Sequence, residues 1–572
     1  MHRVRVRRAR RSISDAVKGS GIIGDGSDLN TSGLQPPHRG QGGQPDGASS
    51  RGALNVSCGK QGTMRGVMRW FVAAGWLWLL GLTSLGLLGY GVRRHNFEAA
   101  GIAFVVVLLL FSLSHLGHWR DAPPSPEAPL VPRPQWVTLA PAALAAAAFG
   151  WTVSLGPLSD DFVLRKWAVA GEWIPPDWNF VRPLPLGVWQ LLFGLGGSWA
   201  AIHLVNVLLH VVNSALVAHI GDSWLGPRAG VSAGIIFALF PTSTEAVGWS
   251  AGVFDLASTA FALGAVAVWL SRSGTAGTVR TLLLLCAGGL LSKETGLAIP
   301  LLLLLVVALS PTRPSRLQIV QVLIAGLLSV AYLAIRASTA PVVAGHLQNL
   351  PGDRRQWKDL LVRPFSGLTV PMRTDEGVDT AVYVGGLLLL TLFAIAAIRV
   401  SRASSTGHGS NRAAAVLCLG VGWVTLSTLP LLLSFYVAPN LEGSRYLYLP
   451  SAGFALAASV AFDRWGGSRL NVVASLALAG LLALFVTRLN EERHLWVAAA
   501  SIRDALLTDA ARVARAQACG SLAVRDAPDA VRGVFVFREG LAVALDAVAT
   551  VAGGRSCELR WTGSALTSAD PP

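Results

Sequence analysis

Charged side chains are scarce in this sequence. Asp, Glu, Lys and Arg make up 14% of its 572 residues, whereas apolar residues make up 52% and the mean hydropathy is +0.51. Apolar runs recur almost to the C-terminal end. This balance excludes an ordinary soluble protein and predicts a polytopic membrane protein.

The chain also lacks the features of a nucleic-acid-binding protein, although its formal net charge is +15 and its pI is about 10.4. No basic aromatic groove and no folded soluble module accompanies the charge. Much of the arginine lies in an N-terminal tail and in short loops between apolar runs. That distribution orients a protein in a membrane, and we expect no nucleic-acid partner.

Cysteine is rare, with five residues in the chain. Cys58 lies in the tail, while Cys286 and Cys418 lie within apolar runs. Only Cys519 and Cys557, in the polar C-terminal segment, are candidates for a disulfide, and only in an oxidising compartment.

The composition divides the chain into four parts. Residues 1–66 are rich in Arg, Gly, Ser and Pro and are expected to form a disordered basic tail, so that Met64 or Met68 is an alternative start. Residues 67–134 hold two apolar runs, 71–90 and 99–116, and a Pro-rich linker. Residues 135–488 form the main membrane domain, and residues 489–572 form a polar C-terminal segment.

Eleven apolar runs predict the spans of the main domain, some of them short for the roughly 20 residues that a span needs. These runs are 137–155, 199–220, 229–242, 249–270, 281–291, 296–309, 317–335, 382–398, 413–437, 446–462 and 472–486. Residues 184–195 are half apolar and interrupted by glycine, which favours a helix lying along the membrane surface.

Residues 281–309 allow two interpretations. They form one long helix with Lys293 and Glu294 at its centre, or two short helices with those charges at the turn. Loop charge favours two, because Arg280, Arg313 and Arg316 then share one side of the membrane.

The short loops of one side are then all basic, and we assign that side to the cytoplasm. Their arginines are Arg228, Arg272, Arg280, Arg313, Arg316, Arg399, Arg402, Arg412, Arg464 and Arg469. The predicted topology has a cytoplasmic N-terminus and an extracytoplasmic C-terminus in the plasma membrane. Arg93 and Arg94 fall on the opposite side from the rule, which weakens the placement of the first two spans.

Unusual polar residues collect on the predicted outer side. Asp160 and Asp161 begin a polar loop that ends near Arg182, and two adjacent carboxylates at a membrane surface suggest chemistry. The loop 339–381 and the C-terminal segment are expected on the same side.

The helix after this loop carries polar residues on one face: His203, Asn206, His210 and Asn213. The two histidines lie about 10 Å apart along the axis and do not readily share a metal ion. Hydrogen bonds between helices explain this face, and a substrate-side role for His203 is the alternative.

Three further outer positions carry candidates. Glu245 is either a solvated loop residue or part of the site. Lys293 and Glu294 are either a self-neutralised pair or, for Lys293, a phosphate-binding group. Arg445 and Tyr446 are either interfacial belt residues or site residues.

Four stretches of sequence stand out as motifs: HLVNVLLH at 203–210, TEAVGWSAG at 244–252, LSKETG at 291–296 and RYLYLP at 445–450. They resemble the motifs of membrane O-mannosyltransferases of the transmembrane and tetratricopeptide-repeat type. These enzymes are GT-C glycosyltransferases, which resemble this chain also in an acidic first outer loop and about eleven spans.

The chain departs from that family at several points. The Glu245 motif usually continues with Gly-Arg-Ala-Asp, whereas here Gly252 is followed by Val253, Phe254 and Asp255. Ser243 stands where the family has His, and no helical repeats are evident after the last span. These departures affect the residues that would contact the acceptor and part of those that would contact the donor.

The resemblance implies an all-α, GT-C-like helical bundle with about eleven core spans, about two N-terminal spans and a small extracytoplasmic C-terminal segment. It implies an inverting transfer of a hexose, which is mannose in that family, from a polyprenyl-phosphate donor to a hydroxyl of a protein or glycan. Asp160 or Asp161 would be the base, and Arg445 and Lys293 would bind the donor phosphate. Arg182, His203, Glu245, Glu294 and Tyr446 would lie on the substrate side.

The sequence requires no cofactor. It does not determine whether the protein uses a divalent metal. The alternative function is a transporter, or a flippase or polymerase for lipid-linked glycans. Such proteins typically have paired broken helices in corresponding halves, and residues 281–309 are the single candidate here.

Overall fold

The computed structural model describes residues 134–175, 180–270, 276–310, 314–339, 367–374, 380–406, 410–432, 437–462, 468–549 and 554–568. The predicted tail 1–66, the two N-terminal spans with their linker, and most of the loop 339–381 lie outside the described residues. The domain boundaries proposed there stay predictions.

Helices make up the described chain up to residue 517, as expected where apolar surroundings force the backbone groups of a span to bond within their own segment. They are α1 (Trp136–Phe149), α2 (Asp161–Ala170), α3 (Pro183–Gly194), α4 (Trp199–Leu225), α5 (Pro227–Ala238), α6 (Ser243–Gly248), α7 (Val253–Leu270), α8 (Ala276–Ser292), α9 (Ala298–Leu309), α10 (Arg316–Thr339), α11 (Thr380–Thr406), α12 (Ser410–Leu432), α13 (Tyr448–Ser459) and α14 (Ser468–Gln517). Short 3₁₀ turns cover Gly150–Ser154, Ser250–Gly252, Glu294–Leu297, Ser444–Leu447 and Val460–Phe462.

Each of the eleven predicted core runs coincides with one of these helices. Within the described ranges, five segments are long and apolar enough to cross a membrane: Trp136–Ser154, Trp199–Leu225, Ser250–Leu270, Arg316–Arg336 and Arg469–Gln517. The shorter apolar helices are Thr278–Ser292, Glu294–Leu309, Tyr383–Ala396 and Ala415–Thr428. The protein is therefore membrane-embedded, and its exact number of crossings stays a prediction.

The chain is broken between α8 and α9, as the two-helix interpretation of residues 281–309 requires. Lys293 has an extended backbone, and the turn Glu294–Leu297 follows it. Gly296 lies so close to α8 that a Cβ there would be 2.4 Å from the carbonyl carbon of Gly289. Glycine is thus needed for the chain to turn back at this point.

Helix α3 matches the predicted surface helix at residues 184–195. Pro183 provides a preset first turn, and the helix ends at Gly194. Leu186 and Trp189 are buried, whereas Leu191 is 61% exposed. The helix therefore has one buried and one open side.

The bundle packs around α4, which contacts α1, α5 and α7. A second group is formed by α12 against α13 and α9, and α14 packs against α11. One large apolar cluster, including Phe237, Trp423 and Phe485, joins these helices.

The C-terminal segment is a small mixed domain at the end of α14. Its elements are β1 (Cys519–Arg525), β2 (Ala530–Val531), β3 (Val534–Phe535), α15 (Leu541–Val548), β4 (Arg555–Trp561) and β5 (Leu566–Ser568). Strand β1 pairs in parallel with β4, β4 pairs antiparallel with β5, and β2 with β3 forms a hairpin. Cys519 and Cys557 form a disulfide with a Cα–Cα distance of 5.8 Å.

This segment departs from the predicted all-α class. Its three-stranded sheet was not predicted. Strands β1 and β4 lie about 30 residues apart in the chain; β4 alternates from Cys557 to Trp561, whereas β1 has no clear alternating pattern. Their pairing depends on contacts distant in sequence, which a local pattern does not carry.

Candidate active site at the acidic loop

Asp161 fixes the acidic loop in place. Its Oδ2 accepts the Leu158 N–H at 2.8 Å, and its Oδ1 accepts the Ala251 N–H at 3.0 Å. The side chain is fully buried. Burial and the neighbouring Asp160 raise the pKa of Asp161, while these hydrogen bonds oppose the shift. Asp161 thus ties the loop to the turn Ser250–Gly252.

Asp160 is in the opposite situation. It precedes α2, but its carboxylate does not cap that helix. Its Oδ1 is buried and, within the described residues, has no hydrogen-bond partner. Burial raises the pKa of Asp160 to about 7, and the charges of Arg445 and Arg182 act against the increase. An unbonded carboxylate oxygen with a pKa near neutrality is suited to accept a proton.

Arg445 binds Glu245 across the site. The Glu245 carboxylate accepts hydrogen bonds from the Arg445 guanidinium and backbone N–H and from Ser444 Oγ. The guanidinium lies over the rings of Trp249 at 4.4 Å and Tyr446 at 4.7 Å, and its Nη2 donates to Tyr446 Oη at 2.9 Å. Arg445 is therefore held rigidly by an anion and two aromatic faces.

Lys293 forms a second ion pair. Its Nζ lies 2.5 Å from Asp255 Oδ1, and both side chains are less than 5% exposed. The ammonium group also lies 4.8 Å from the centre of the Tyr446 ring. The self-neutralised pair foreseen for Lys293 thus exists, but its anion is Asp255 and not Glu294.

Glu294 binds two arginines instead. Arg182 donates from Nε and Nη2 to its two oxygens at 3.2 and 2.6 Å, and Arg336 Nη1 lies 3.2 Å from Oε1. Phe180 contacts both guanidinium groups, with its ring centre 4.1 Å from Arg182 and 5.5 Å from Arg336. Two cations thus share one carboxylate.

These groups form one electrostatic cluster. Beside the Asp160–Asp161 pair, the described part of the cluster has four cations and three carboxylates, which leaves one positive charge: Arg182, Lys293, Arg336 and Arg445 against Glu245, Asp255 and Glu294. The surplus lies with the two arginines at Glu294. Such a surplus suits an anionic ligand.

The polar face of α4 lies behind the loop. His203 Nε2 is 3.1 Å from Gly156 O and from Ser250 Oγ. Asn206 donates to Trp249 O at 2.7 Å, and His210 and Asn213 contact the Tyr448 hydroxyl at 2.7 and 3.2 Å. All four are fully buried. This face thus joins helices by hydrogen bonds, and His203 supports the loop from inside.

The structure brings most of the candidate residues together and adds Asp255 and Arg336. A signal for Arg336 exists in the sequence, because an arginine at the predicted outer end of a span breaks the positive-inside rule and needs a partner. Asp255 stands where the resembling family has its Asp. Within the described residues, no three His, Cys, Asp or Glu side chains meet as a metal site.

Two solved structures resemble the chain in part. The first is ArnT from Cupriavidus metallidurans bound to undecaprenyl phosphate, with a TM-score of 0.44 and 13% identity, covering 75% of this chain and 93% of that one. The second is the Archaeoglobus fulgidus oligosaccharyltransferase AglB in complex with an inhibitory peptide and a dolichol-phosphate. It has a TM-score of 0.37 and 14% identity, covering 62% of this chain and 55% of that one.

Two curated Drosophila melanogaster proteins resemble the chain in sequence. Protein O-mannosyl-transferase Tmtc2 is 35% identical over 134 residues, which is 20% of this chain and 14% of that protein. Protein O-mannosyl-transferase Tmtc1 is 38% identical over 136 residues, 23% of this chain and 16% of that protein. The chain thus matches less than a fifth of either relative's length, and no protein-family model matches it.

The curated relatives confirm the recognition made from the motifs. The chain resembles the GT-C class of membrane glycosyltransferases. Within that class it is similar to the O-mannosyltransferases of the transmembrane and tetratricopeptide-repeat type.

Proposed function

We propose that the protein transfers a sugar from a polyprenyl-phosphate donor to a hydroxyl of a protein or glycan acceptor, on the extracytoplasmic face of the plasma membrane. The observation that carries this proposal is Asp160: a buried carboxylate oxygen without a hydrogen-bond partner among the described residues, beside a cluster of arginines. A base and a cation cluster are what this displacement requires.

The reaction follows from these positions. Asp160 takes the proton of the acceptor hydroxyl, whose oxygen forms a bond to C1 of the donor sugar. The bond from C1 to the phosphate oxygen breaks, and its electron pair stays on the departing polyprenyl phosphate. Attack opposite to the leaving group inverts the anomeric centre, and the phosphate anion leaves without a strong general acid.

Arginines bind the phosphate in this proposal. Arg445 is rigid and 17% exposed, and Arg182 and Arg336 share a single anion. Arginine suits a phosphate because its planar fork forms two parallel hydrogen bonds. Lys293, also predicted as a phosphate ligand, is 2% exposed and already paired. Variants of Lys293 and Arg445, compared by steady-state kinetics, separate the two contributions.

The Cys519–Cys557 disulfide supports the proposed placement of the acidic loop on the extracytoplasmic side of the membrane. Disulfides persist in oxidising compartments, and Cys519–Cys557 belongs to the segment that contacts the acidic loop. Both would therefore face outward. Mass measurement of the exported protein with and without alkylation tests this, and two free thiols would contradict the orientation.

The decisive assay uses purified full-length protein in proteoliposomes with radiolabelled polyprenyl-phosphate sugars, including mannose, and a mixture of peptide and glycan acceptors. Wild-type protein should release polyprenyl phosphate and label an acceptor. Asp160→Asn should lose more than about a thousandfold in rate, the upper range of general base and electrostatic contributions, with unchanged expression.

Acceptor labelling at the wild-type rate by Asp160→Asn would remove the base assignment. If wild-type protein moved the lipid-linked sugar across the bilayer without releasing polyprenyl phosphate, the transporter or flippase alternative would replace the enzyme.

A further inference from the structure

We propose that Arg503 positions Asp160, so that the C-terminal segment completes the active site of the bundle. The inference deepens the proposed function and rests on it. Its evidence is the set of contacts along the backbone that leads into Asp160.

Arg503 binds this backbone directly. Its Nη1 donates to the carbonyls of Leu155 at 2.7 Å and Pro157 at 2.6 Å. The other guanidinium nitrogens, Nε and Nη2, donate to Asp504 Oδ1 at 2.9 and 2.7 Å. The side chain is 6% exposed. A buried guanidinium with its charge balanced by Asp504 is thus used to hold loop carbonyls.

Gly156, between the two bound carbonyls, has a backbone fitted to this contact. Its φ of +70° lies in the left-handed region, and a Cβ there would lie 3.0 Å from Arg503 Nη1. Its own carbonyl faces His203 Nε2 at 3.1 Å. Three successive carbonyls are therefore held, two by Arg503 and one by His203.

The C-terminal segment also holds the residue just before Asp160. The Ser159 N–H donates to Val536 O at 2.8 Å, and Ser159 Oγ accepts the Glu539 N–H at 3.4 Å. Ser159 has a φ of +50°, an unfavourable value for a residue with a side chain. The surrounding contacts have to maintain that conformation.

These contacts determine the position of Asp160 because its own Oδ1 has no partner within the described residues. Asp161 is fixed by its own carboxylate, whereas Asp160 depends on the backbone on its N-terminal side. A base that is misplaced by about 1 Å loses roughly a hundredfold in rate. Arg503 acts through this backbone and is a positioning residue, not a catalytic one.

The test compares Arg503→Ala with Arg512→Ala. Arg512 lies on the same helix, is 67% exposed and pairs with Asp509, so it is the matched control. We expect Arg503→Ala to lower kcat about 10- to 100-fold while the KM for the lipid donor changes less than about threefold. Arg512→Ala should match wild type in both.

Three further readouts separate positioning from a general loss of structure. Low millimolar guanidinium should restore part of the kcat of Arg503→Ala, and equal urea should not. The acidic limb of the pH–rate profile should move to lower pH, because a loosened Asp160 is better solvated. Hydrogen exchange of the Ser159 amide should become faster in Arg503→Ala, without any substrate present.

Wild-type kcat, pH profile and Ser159 exchange in Arg503→Ala would overturn the inference. If that variant does not fold, Arg503→Lys decides: it keeps the charge beside Asp504 but loses the forked contact, and an unchanged kcat would also refute the proposal. Failure of the proposed function would appear differently, as an absence of transfer by wild type, while the exchange experiment still reports on Arg503.

Discussion

The two sides of the candidate site are built by opposite means. On the acidic side, hydrogen bonds from Arg503 and from the C-terminal segment hold the backbone from Leu155 to Ser159, and Oδ1 of Asp160 has no partner within the described residues. On the cationic side, each positive group is paired with a carboxylate, as Arg445 is with Glu245.

The difference concerns what each side has to do. A base works only if one of its oxygens is available. The protein therefore fixes the surrounding backbone, and Oδ1 of Asp160 has no hydrogen bond within the described residues. Buried cations without anions are costly to keep, so each has a carboxylate partner, which Arg182 and Arg336 share. A phosphate would then find oriented donors.

The largest effect should appear when Arg445 and the Lys293–Asp255 pair are removed in separate variants. Arg445→Met should lower kcat/KM by about 10²- to 10³-fold, because it removes a preorganised donor to the departing phosphate. The double variant Lys293→Met with Asp255→Leu removes a neutral buried pair as a unit and should retain more activity. Steady-state kinetics with the lipid-linked donor measure both. An equal loss in the two variants would return Lys293 to the role of phosphate ligand.

The second prediction concerns pH. Because the pKa of Asp160 is about 7, its basic form increases with pH, and kcat should fall about tenfold per unit below pH 7.

The free energy of unfolding should change with pH in the opposite direction to kcat. A folded-state pKa above the ordinary value of 3.8 favours folding at low pH, and this contribution is lost as pH rises towards 7. Rates measured from pH 5 to 9 check the first statement, and a rate independent of pH across this range would contradict it.

The smallest effect separates the two adjacent acids by stability. Asp161→Asn replaces an acceptor of two backbone N–H groups by an amide whose nitrogen faces a donor, which costs about 1–3 kcal/mol. Asp160→Asn breaks no hydrogen bond at Oδ1 and should melt close to wild type. Thermal unfolding in detergent compares the two. A lower melting temperature for Asp160→Asn than for Asp161→Asn would reverse the roles that we give them.

Much of the bundle could be predicted because hydropathy and loop charge are local signals. The break at Lys293, the separate helix α3 and the polar face of α4 all follow from patterns of a few residues. The pairing of Cys519 with Cys557 was also foreseen as the remaining combination, since the other cysteines lie in the tail and in apolar runs.

The partners within the site could not be predicted in the same way. Glu294 was grouped with Lys293 by adjacency, yet the extended backbone at Lys293 turns the two side chains to different partners, Asp255 and Arg182. The choice between Asp160 and Asp161 depends on which carboxylate meets the Ala251 N–H, 90 residues away. The sequence did not indicate a role for Arg503. Its partners are backbone carbonyls, which every residue has, so no residue type marks the contact.

Helix α14 has a consequence for how an acceptor reaches the site. It runs without interruption for 50 residues, about 75 Å, from the bundle to the disulfide-linked segment, and no proline interrupts it. A rod of this kind offers no hinge about which the disulfide-linked segment swings aside. In the proposed reaction, an acceptor that approaches Asp160 past this segment would therefore meet a surface held by a continuous helix.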